Sequence, residues 1–235
     1  MTEIQNILTE TDTWLLLLLN SWHCAWADNF MMLVSSRFAW IPFYASFLFV
    51  MFRNYPVLTV VKCLAVIATI ILLCDQTVSG LIKPLAERMR PSNPDNPIAP
   101  MVNIVKGYRG GPYGFPSSHA ANSWGMAFFA MYLVRNAKLN TMLMLWAALL
   151  SYSRVYMGVH YPGDIIVGTL IGFCYASLCY ALLYRIDRQT TREWHSTGQA
   201  HRQAYLPFAA MALTLIAFAV ASTVMAMTHS DVLIV

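Results

Sequence analysis

Residues 57–82 read VLTVVKCLAVIATIILLCDQTVSGLI and form the longest of six apolar runs in this 235-residue chain. About 20 such residues, coiled as an α-helix, cross the roughly 30 Å hydrocarbon core of a bilayer. The other runs, each bounded by charge, Pro or Gly, are Met31–Met51, Ser118–Val134, Leu139–Met157, Ile165–Tyr184 and Tyr205–Met227. The sequence therefore predicts an all-α integral membrane protein with six transmembrane helices.

The composition agrees with that class and argues against a nucleic-acid-binding protein. Apolar residues make up 58% of the chain and charged residues 11%, whereas soluble domains contain about 45–50% and 25%. The formal net charge of +4 is not gathered into the basic stripe that nucleic acid binding needs. Five scattered cysteines without CxxC spacing are predicted to be small buried side chains.

We interpret residues 1–235 as a single membrane domain with a distinct N-terminal segment, residues 1–30. The apolar stretch in that segment ends early, because Asn20, His23 and Asp28 follow it. The segment is therefore predicted to form an interfacial helix with its tryptophans at headgroup level. A seventh, short span is the alternative.

Residues 84–116 form the only long polar stretch and are rich in Pro, Gly and Asn. Loops of that length are usually functional or disordered, and polar backbone is not stable in lipid. We predict that these residues form an active-site loop at one membrane face.

Three polar clusters interrupt the apolar chain, and each falls at the end of a predicted span. They contain Lys83, Arg90 and Pro91; Pro116, Ser117, Ser118 and His119; and Ser153, Arg154, His160 and Asp164. Because successive spans alternate in direction, the end of the second, the start of the third and the turn from the fourth to the fifth lie at one membrane face. The sequence predicts a single site from all three clusters.

The cations and the helix start in this predicted site favour a phosphate ligand. Lys83, Arg90 and Arg154 would be costly beside lipid unless they meet an anion, and arginine forks match phosphate oxygens. Ser117 and Ser118 stand at the start of the third span, where unpaired N–H groups and the helix dipole favour an anion.

His160 and Asp164 supply a candidate base or nucleophile. They are four residues apart, and Pro162 can open the fifth helix, so the carboxylate can accept a hydrogen bond from one ring nitrogen and leave the other unprotonated. His119, from a different cluster, is then available as the acid. Each cluster alone could consist of hydrogen-bonded polar residues, or of charged side chains that extend to the membrane interface. The convergence of all three clusters at one face favours a catalytic site.

Residues 83–91 read KPLAERMRP, residues 116–119 read PSSH, and residues 153–164 read SRVYMGVHYPGD. These segments resemble the three motifs of the type 2 phosphatidic acid phosphatase family, K-x6-R-P, P-S-G-H and S-R-x5-H-x3-D. The spacing matches throughout. One position departs from the motifs, since Ser118 stands where the family usually has Gly. If the backbone at this position has no room for a side chain, the match is in doubt there. The Ser118 hydroxyl would otherwise add one hydrogen-bond donor to the phosphate.

The resemblance implies a role for each of these residues. His160 would attack phosphorus and form a phosphohistidine, with Asp164 orienting its ring, and His119 would protonate the leaving oxygen and then activate water. The phosphoryl oxygens would be held by Lys83, Arg90, Ser117, Ser118 and Arg154. Because Asp164 is the one carboxylate of the set and is committed to His160, whereas magnesium sites usually need several, we expect no metal ion and no cofactor.

Two other functional classes share part of this pattern. Vanadium-dependent haloperoxidases share the same three motifs but are soluble proteins, so the six predicted spans argue against that class. Bound vanadium together with halide oxidation would favour it. A lipid transporter without chemistry would place its cations near the bilayer midplane, between discontinuous helices, which the sequence does not indicate.

Within the phosphatase class, the motifs recognise phosphate and not the lipid. The candidate substrates are undecaprenyl diphosphate, phosphatidylglycerophosphate, phosphatidic acid and the phosphates of lipid A, and we expect undecaprenyl diphosphate by a slight preference. The predicted partners are therefore a lipid phosphate or diphosphate and the bilayer, with no nucleic acid and no obligate protein partner.

Charges beside the spans predict the orientation. The face away from the site carries seven cations, Arg53, Arg135, Lys138, Arg185, Arg188, Arg192 and Arg202. Arg37 and Lys62 lie inside predicted spans, one at each face, and are left out of the count. At the site's face Arg88, Lys106 and Arg109 then remain, apart from the cations assigned to phosphate. The positive-inside rule therefore predicts a multi-pass protein of the plasma (inner) membrane with its active site on the periplasmic or extracellular face.

Overall fold

The computed structural model describes residues 3–196, 203 and 205–228, and this part of the chain is helical, without a β-strand. The helices are α1 (Glu3–Leu19), α2 (Ala25–Ser35), α3 (Ile41–Asn54), α4 (Val57–Asp75), α5 (Lys83–Ala86), α6 (Ser118–Val134), α7 (Ala137–Tyr156), α8 (Pro162–Ile186), α9 (Arg188–Ser196) and α10 (Tyr205–Thr228). Short 3-10 turns lie at Phe38–Trp40, Ala99–Met101 and Val105–Gly107. The all-α prediction is confirmed for the described residues.

Three of the described helical stretches are long and apolar enough to cross a bilayer, Val57–Ala86, Pro162–Ile186 and Tyr205–Thr228, or four if the bent pair α2 and α3 forms one span. Their outer faces expose large apolar side chains such as Leu72 and Ile216, which suits contact with lipid. α6 has 17 residues and is therefore only about 25 Å long. A membrane protein is supported, whereas six spans are not confirmed.

The first predicted span, Met31–Met51, is wrong as a single straight helix. The stretches Ala25–Ser35 and Phe38–Asn54 are bent by 77° relative to each other. The backbone leaves the helix at Ser36, which is extended (φ −75°, ψ 120°), and is helical again at Arg37 and Ile41. Pro42 lies in the first turn of α3, where a missing N–H costs nothing, so it follows the break and does not cause it.

The bend is held by Trp40, which is fully buried. Its Nε1 donates to the Val34 carbonyl oxygen at 2.9 Å. Its ring packs edge-on against Trp146 of α7 and Phe218 of α10, with centroid distances of 6.3 and 5.4 Å. Aromatic packing in the helical core thus fixes where α2 ends and α3 begins.

α1 packs against the face of the molecule that carries the polar clusters. Leu16 is fully buried against Val102, Val155 and Tyr161. Asn20 is also buried, and its side-chain amide donates to the Tyr156 carbonyl at 2.6 Å. The polar residue that ends the apolar stretch is therefore a contact between segments, and the interfacial position of α1 stays a prediction.

The prediction of buried cysteines is wrong for two of the five. Cys63, Cys74 and Cys179 are buried, while Cys24 and Cys174 are exposed. All five thiols are free.

α6 packs along α8 more extensively than any other pair of described elements. A Cβ atom at Gly172 would collide with the Ala121 carbonyl oxygen, and one at Gly168 with the Ser117 carbonyl oxygen. Small residues of this kind let two backbones approach closely. The packing sets the N-terminal ends of α6 and α8 side by side, and both ends carry residues of the predicted site.

Candidate active site

His160 lies in the turn between α7 and α8 and is 1% exposed. Its Nδ1 is 3.2 Å from Asp164 Oδ2, and its Nε2 is 2.9 Å from Arg90 Nη1. Asp164 is fully buried in the first turn of α8, and its Oδ2 also accepts from the Tyr161 backbone N–H at 3.0 Å. These contacts assign the proton to Nδ1 and leave the lone pair on Nε2.

The surroundings of His160 favour its neutral form. Burial lowers the pKa of His160 well below its ordinary value, and the positive charges of Arg90 and Arg154 lower it further. A hydrogen bond with the Gly114 backbone raises this pKa, but it does not outweigh the other effects. A neutral imidazole with a lone pair on Nε2 is the form that a nucleophile needs.

Arg88 supports Asp164 from the side away from His160. Its Nη1 donates to Asp164 Oδ1 at 2.8 Å, and its Nη2 donates to Asp12 Oδ2 of α1 at 2.7 Å. Its guanidinium lies over the Tyr161 ring, 3.9 Å from the centroid. From the sequence Arg88 is only a charge at the site's face, whereas in the structure Asp164 binds Arg88 as well as His160, so the expectation that Asp164 is committed to His160 alone is wrong.

The cationic half of the site begins where α4 ends. The chain continues from α4 through a π-helical segment, Gln76–Ile82, into α5, and π-helical turns are frequent at functional sites. Lys83 Nζ donates to Ser118 Oγ at 2.9 Å, and Ser79 Oγ lies 2.9 Å from the same oxygen. The backbone therefore accommodates Ser118 in place of the family's Gly.

Ser117 caps α6 and stands behind the cavity wall. It is fully buried, its Oγ accepts from the Ala120 N–H at 3.3 Å, and its own N–H donates to the Asp164 carbonyl oxygen at 3.0 Å. Its hydroxyl thus serves the helix start. The two residues that follow it, Ser118 and His119, face the cavity.

Arg90 and Arg154 are buried cations, 8% and 3% exposed. Arg90 donates to the carbonyl oxygens of Gly111 at 2.7 Å and Val159 at 3.0 Å, while Arg154 donates to Ser35 Oγ. Burial, with Arg154 nearby, lowers the pKa of Arg90 to about 10, which leaves it charged at neutral pH. Their fixed positive charge favours an anion between them.

These groups line one cavity of about 1080 Å³, and Asp75 is the one carboxylate among its described lining residues. Six of the eight predicted site residues lie on its wall, Lys83, Arg90, Ser118, His119, Arg154 and His160. Ser117 and Asp164 are not among the lining residues, but Ser117 directly precedes Ser118, and Asp164 contacts His160. The same cavity also has an apolar lining, which includes Tyr44, Ile71, Met126, Trp146 and Leu150. A cationic pocket that continues into an apolar one suits a phosphate attached to a lipid.

The amino-acid sequence is similar to one protein family and to several proteins of named activity. Residues 59–188 match the PAP2 superfamily. A lipid A 4'-phosphatase of Bacteroides thetaiotaomicron is 42% identical over 179 residues, which cover 76% of this chain and 80% of that protein. A lipid A 4'-phosphatase of Porphyromonas gingivalis is 34% identical over 183 residues, 77% of each chain.

Two further similarities are more limited. Phosphatidylglycerophosphatase B of Escherichia coli K12 is 32% identical over 77 residues, which cover 32% of this chain and 30% of that protein. The crystal structure of Aquifex aeolicus LpxE matches with a TM-score of 0.57 and 24% identity, covering 72% of this chain and 94% of that chain. At that identity the match shows the fold alone.

Proposed function

The chain belongs to the PAP2 superfamily and is a membrane phosphatase with a lipid substrate; from that premise we propose that the lipid is lipid A and that the enzyme removes its 4'-phosphate. The type 2 phosphatidic acid phosphatase family expected from the three motifs is confirmed. The slight preference for undecaprenyl diphosphate is not shown by the relatives named above. The lipid A alternative fits better, since two lipid A 4'-phosphatases align with more than three quarters of the chain.

The observation that carries the phosphatase mechanism is the position of His160 Nε2 at a cavity wall with Lys83, Arg90 and Arg154. Nε2 attacks phosphorus, and the bond from phosphorus to the lipid oxygen breaks. Arg90 Nη1 lies 2.9 Å from Nε2 in this structure. During the attack the Arg90 N–H groups donate instead to the phosphoryl oxygens, where negative charge develops. The product of this step is a phosphohistidine.

His119 lines the same cavity and acts as the general acid and then as the general base. It donates its proton to the lipid oxygen as that oxygen leaves, which yields a neutral hydroxyl on the lipid. It then accepts a proton from water as the water oxygen attacks the phosphohistidine. Inorganic phosphate departs, and both histidines return to their starting forms.

The substrate assignment is tested with purified protein in detergent. Phosphate release is measured from lipid A, from lipid A that lacks only the 4'-phosphate, from undecaprenyl diphosphate, from phosphatidylglycerophosphate and from phosphatidic acid, with His160→Ala as the background. We expect the highest kcat/KM for lipid A and almost no release when the 4'-phosphate is missing. A higher kcat/KM for undecaprenyl diphosphate would overturn the assignment.

We propose further that the site faces the periplasm, where it meets lipid already carried to the outer leaflet of the inner membrane. The charge asymmetry supports this orientation. Lys62, at the end of α4 away from the site, pairs with Asp187 at 2.5 Å and so adds no net charge to the opposite face. Localisation in the inner membrane belongs to the same proposal.

Thiol labelling in intact cells tests the orientation. In a variant without native cysteines, Asp95→Cys should react with an impermeant reagent and Gln189→Cys should not; both positions are exposed. Asn96 is unsuitable, because it is buried and donates to the Arg90 carbonyl and the Tyr161 hydroxyl. The reverse labelling pattern would place the site in the cytoplasm.

A further inference from the structure

A second cavity of about 470 Å³ adjoins the catalytic cavity, and we call it the outer cavity. The two cavities share part of their walls, Ser35, Arg37, Phe38, Tyr108, His119 and Arg154. Lys106 and Arg109 line the outer cavity and not the catalytic one. Space for a ligand therefore continues past the catalytic histidines.

The outer cavity is positively charged. Arg37, Lys106, Arg109 and Arg154 line it, and none of its described lining residues is Asp or Glu. Arg109 Nη1 donates to the Ser92 carbonyl oxygen at 2.5 Å, which fixes the direction of this guanidinium. Burial alone would raise the pKa of Tyr108, yet Arg154, followed by other nearby arginines, brings it below its ordinary value. These groups make the cavity a candidate for binding an anion.

The backbone at Lys106 is unusual in a way that supports this function. Lys106 has φ 48° and ψ 30°, in the left-handed region, and Gly107 follows with φ 71°. Residues other than Gly are uncommon there and tend to occur at functional sites. A lysine at this position places a long cationic side chain at the outer cavity, which a glycine would not do.

His119 lies on the shared wall, and this constrains the direction of the substrate. Under the proposed mechanism the leaving oxygen is close to His119, so the rest of the lipid begins at the junction of the two cavities. Acyl chains fit the apolar wall of the catalytic cavity, with residues such as Ile71 and Met126. The polar part of the leaving group then has the outer cavity available to it.

We propose that the outer cavity binds a second phosphate carried by the same glycolipid molecule, so that bisphosphorylated lipid is preferred over monophosphorylated lipid. This inference rests on the proposed function, because it requires a sugar headgroup with a second phosphate beyond the scissile one. Arg37, Lys106 and Arg109 hold that phosphate, while the catalytic cavity holds the phosphate that is removed.

Steady-state kinetics on two substrates test the subsite. Lys106→Gln combined with Arg109→Gln is compared with wild type on bisphosphorylated lipid A and on lipid A bearing only the 4'-phosphate. We expect KM for the bisphosphate to rise roughly tenfold with little change in kcat, since charge-assisted bonds made equally in ground and transition states are lost. The preference for the bisphosphate, as a ratio of kcat/KM values, should fall by the same factor.

Arg135→Gln combined with Lys138→Gln is the matched control, because it removes two cations at the opposite face; its substrate preference should equal that of wild type. Equal losses on both lipids in the Lys106 and Arg109 variant, or no loss on either, would overturn the subsite alone. Failure of the wild-type enzyme to release phosphate from either lipid would overturn the proposed function, and the subsite with it.

An independent set of contacts concerns the nucleophile. Asp12, Arg88, Asp164 and His160 form a continuous chain of polar contacts, with distances of 2.7, 2.8 and 3.2 Å between successive partners. Asp12 Oδ1 also accepts from the Gly163 N–H at 2.7 Å. The N-terminal helix α1 thus reaches both Arg88 and the first turn of α8.

Because these polar contacts are buried, we expect them to fix the orientation of the Asp164 carboxylate. Asp164 is fully buried. A buried carboxylate oxygen that accepts no hydrogen bond destabilises the folded protein, and the carboxylate would rotate to place that oxygen near another donor. Arg88 occupies Oδ1, which leaves Oδ2 for His160. We infer that Arg88 and Asp12 are positioning residues that hold the Asp164 carboxylate, and through it the His160 ring, in the orientation for attack.

The test separates positioning from folding by measuring kcat per active enzyme, with the burst of phosphohistidine as the count of active molecules. Asp12→Asn should lower kcat roughly tenfold with KM nearly unchanged, and Arg88→Gln should lower it further, with partial recovery in Arg88→Lys. In the double variant Asp12→Asn with Arg88→Gln, the Asp12 change should add no further loss.

Glu10→Gln serves as the control, because Glu10 is an exposed acidic residue on the same helix, and its kcat should equal that of wild type. Additive losses in the double variant would overturn the coupling. A smaller burst with an unchanged rate per active molecule would show that the two residues support folding only, and would overturn the positioning role.

Discussion

Two halves of the catalytic cavity differ in how firmly their polar side chains are held. In the half formed by α8 and the turn before it, His160 and Asp164 are 1% and 0% exposed and have partners on two sides. In the half formed by α5 and the start of α6, Lys83, Ser118 and His119 are partly exposed. The proposed nucleophile is thus held in position before the substrate binds, whereas the side proposed to receive the leaving group can adjust to the substrate.

The largest effect should come from the firmly held half. His160→Ala removes the attacking nitrogen, so we expect a loss of at least roughly 10³-fold in kcat and no phosphoenzyme. Phosphate release and acid-labile phosphohistidine, captured in quenched-flow experiments, measure both.

His23→Ala is a matched control for that variant, because His23 also pairs with a carboxylate, Asp28, at 2.7 Å but is not among the lining residues of the catalytic cavity. It should keep turnover close to that of wild type. Near-normal turnover in His160→Ala would exclude His160 as the nucleophile.

The next largest effect should depend on the substrate, as expected of the more open half. His119→Ala removes the proposed acid and should lower the rate with a lipid phosphate roughly 10²- to 10⁴-fold. With an aryl phosphate, whose leaving group needs little protonation, the first step should lose much less. Equal losses for the two substrates, measured by single-turnover kinetics, would argue against His119 as the acid.

The pH profile tests the electrostatics of the held half. In the proposed mechanism the neutral form of His160 attacks phosphorus, and burial with the positive charges of Arg90 and Arg154 lowers the pKa of His160 well below its ordinary value. Activity should therefore persist as pH falls past about 6.5, with the acid limb of kcat/KM at lower pH. Arg90→Gln removes one of the positive charges and should move that limb towards 6.5, whereas Arg135→Gln at the opposite face should not move it.

A smaller effect is expected at the position where this chain departs from the family. Ser118→Gly removes a hydroxyl that accepts from Lys83 and contacts Ser79, so Lys83 becomes less well positioned. One hydrogen bond of this kind is worth about 1 kcal/mol, and kcat/KM should fall by less than roughly tenfold. A loss as large as that of His160→Ala would contradict the difference between the two halves.

The smallest effect should follow treatment with EDTA. Asp164 is occupied by His160, Tyr161 and Arg88, and the described residues contain no group of three His, Cys, Asp or Glu side chains suited to a metal ion. We expect activity within about twofold of the untreated enzyme, because magnesium sites usually require carboxylates. Complete loss in EDTA, with recovery on adding magnesium, would contradict the mechanism.

Local patterns predicted much of the helical structure. The predicted segment Ser118–Val134 coincides with α6, since a serine pair after a proline marks a helix start and the apolar run marks its extent. The break in the first predicted span falls at Ser36, where no proline or glycine marks it. The direction of the bend depends on the packing of Trp40 against α7 and α10.

The sequence by itself determined the membrane class, the motif residues and the pairing of His160 with Asp164. Run length is a property of consecutive residues, and His160, just before the N-cap of α8, is close in sequence to Asp164 in the first helical turn. These features therefore needed no knowledge of how the helices pack.

Only the tertiary structure decided which distant residues complete the site. Arg88 contacts both Asp12 and Asp164 across 76 positions of sequence, and Arg90 reaches His160 across 70. Such contacts depend on the packing of whole helices, here the close approach of α6 and α8 at Gly168 and Gly172. No periodicity or motif encodes that packing, since the same local patterns are compatible with many arrangements of the helices.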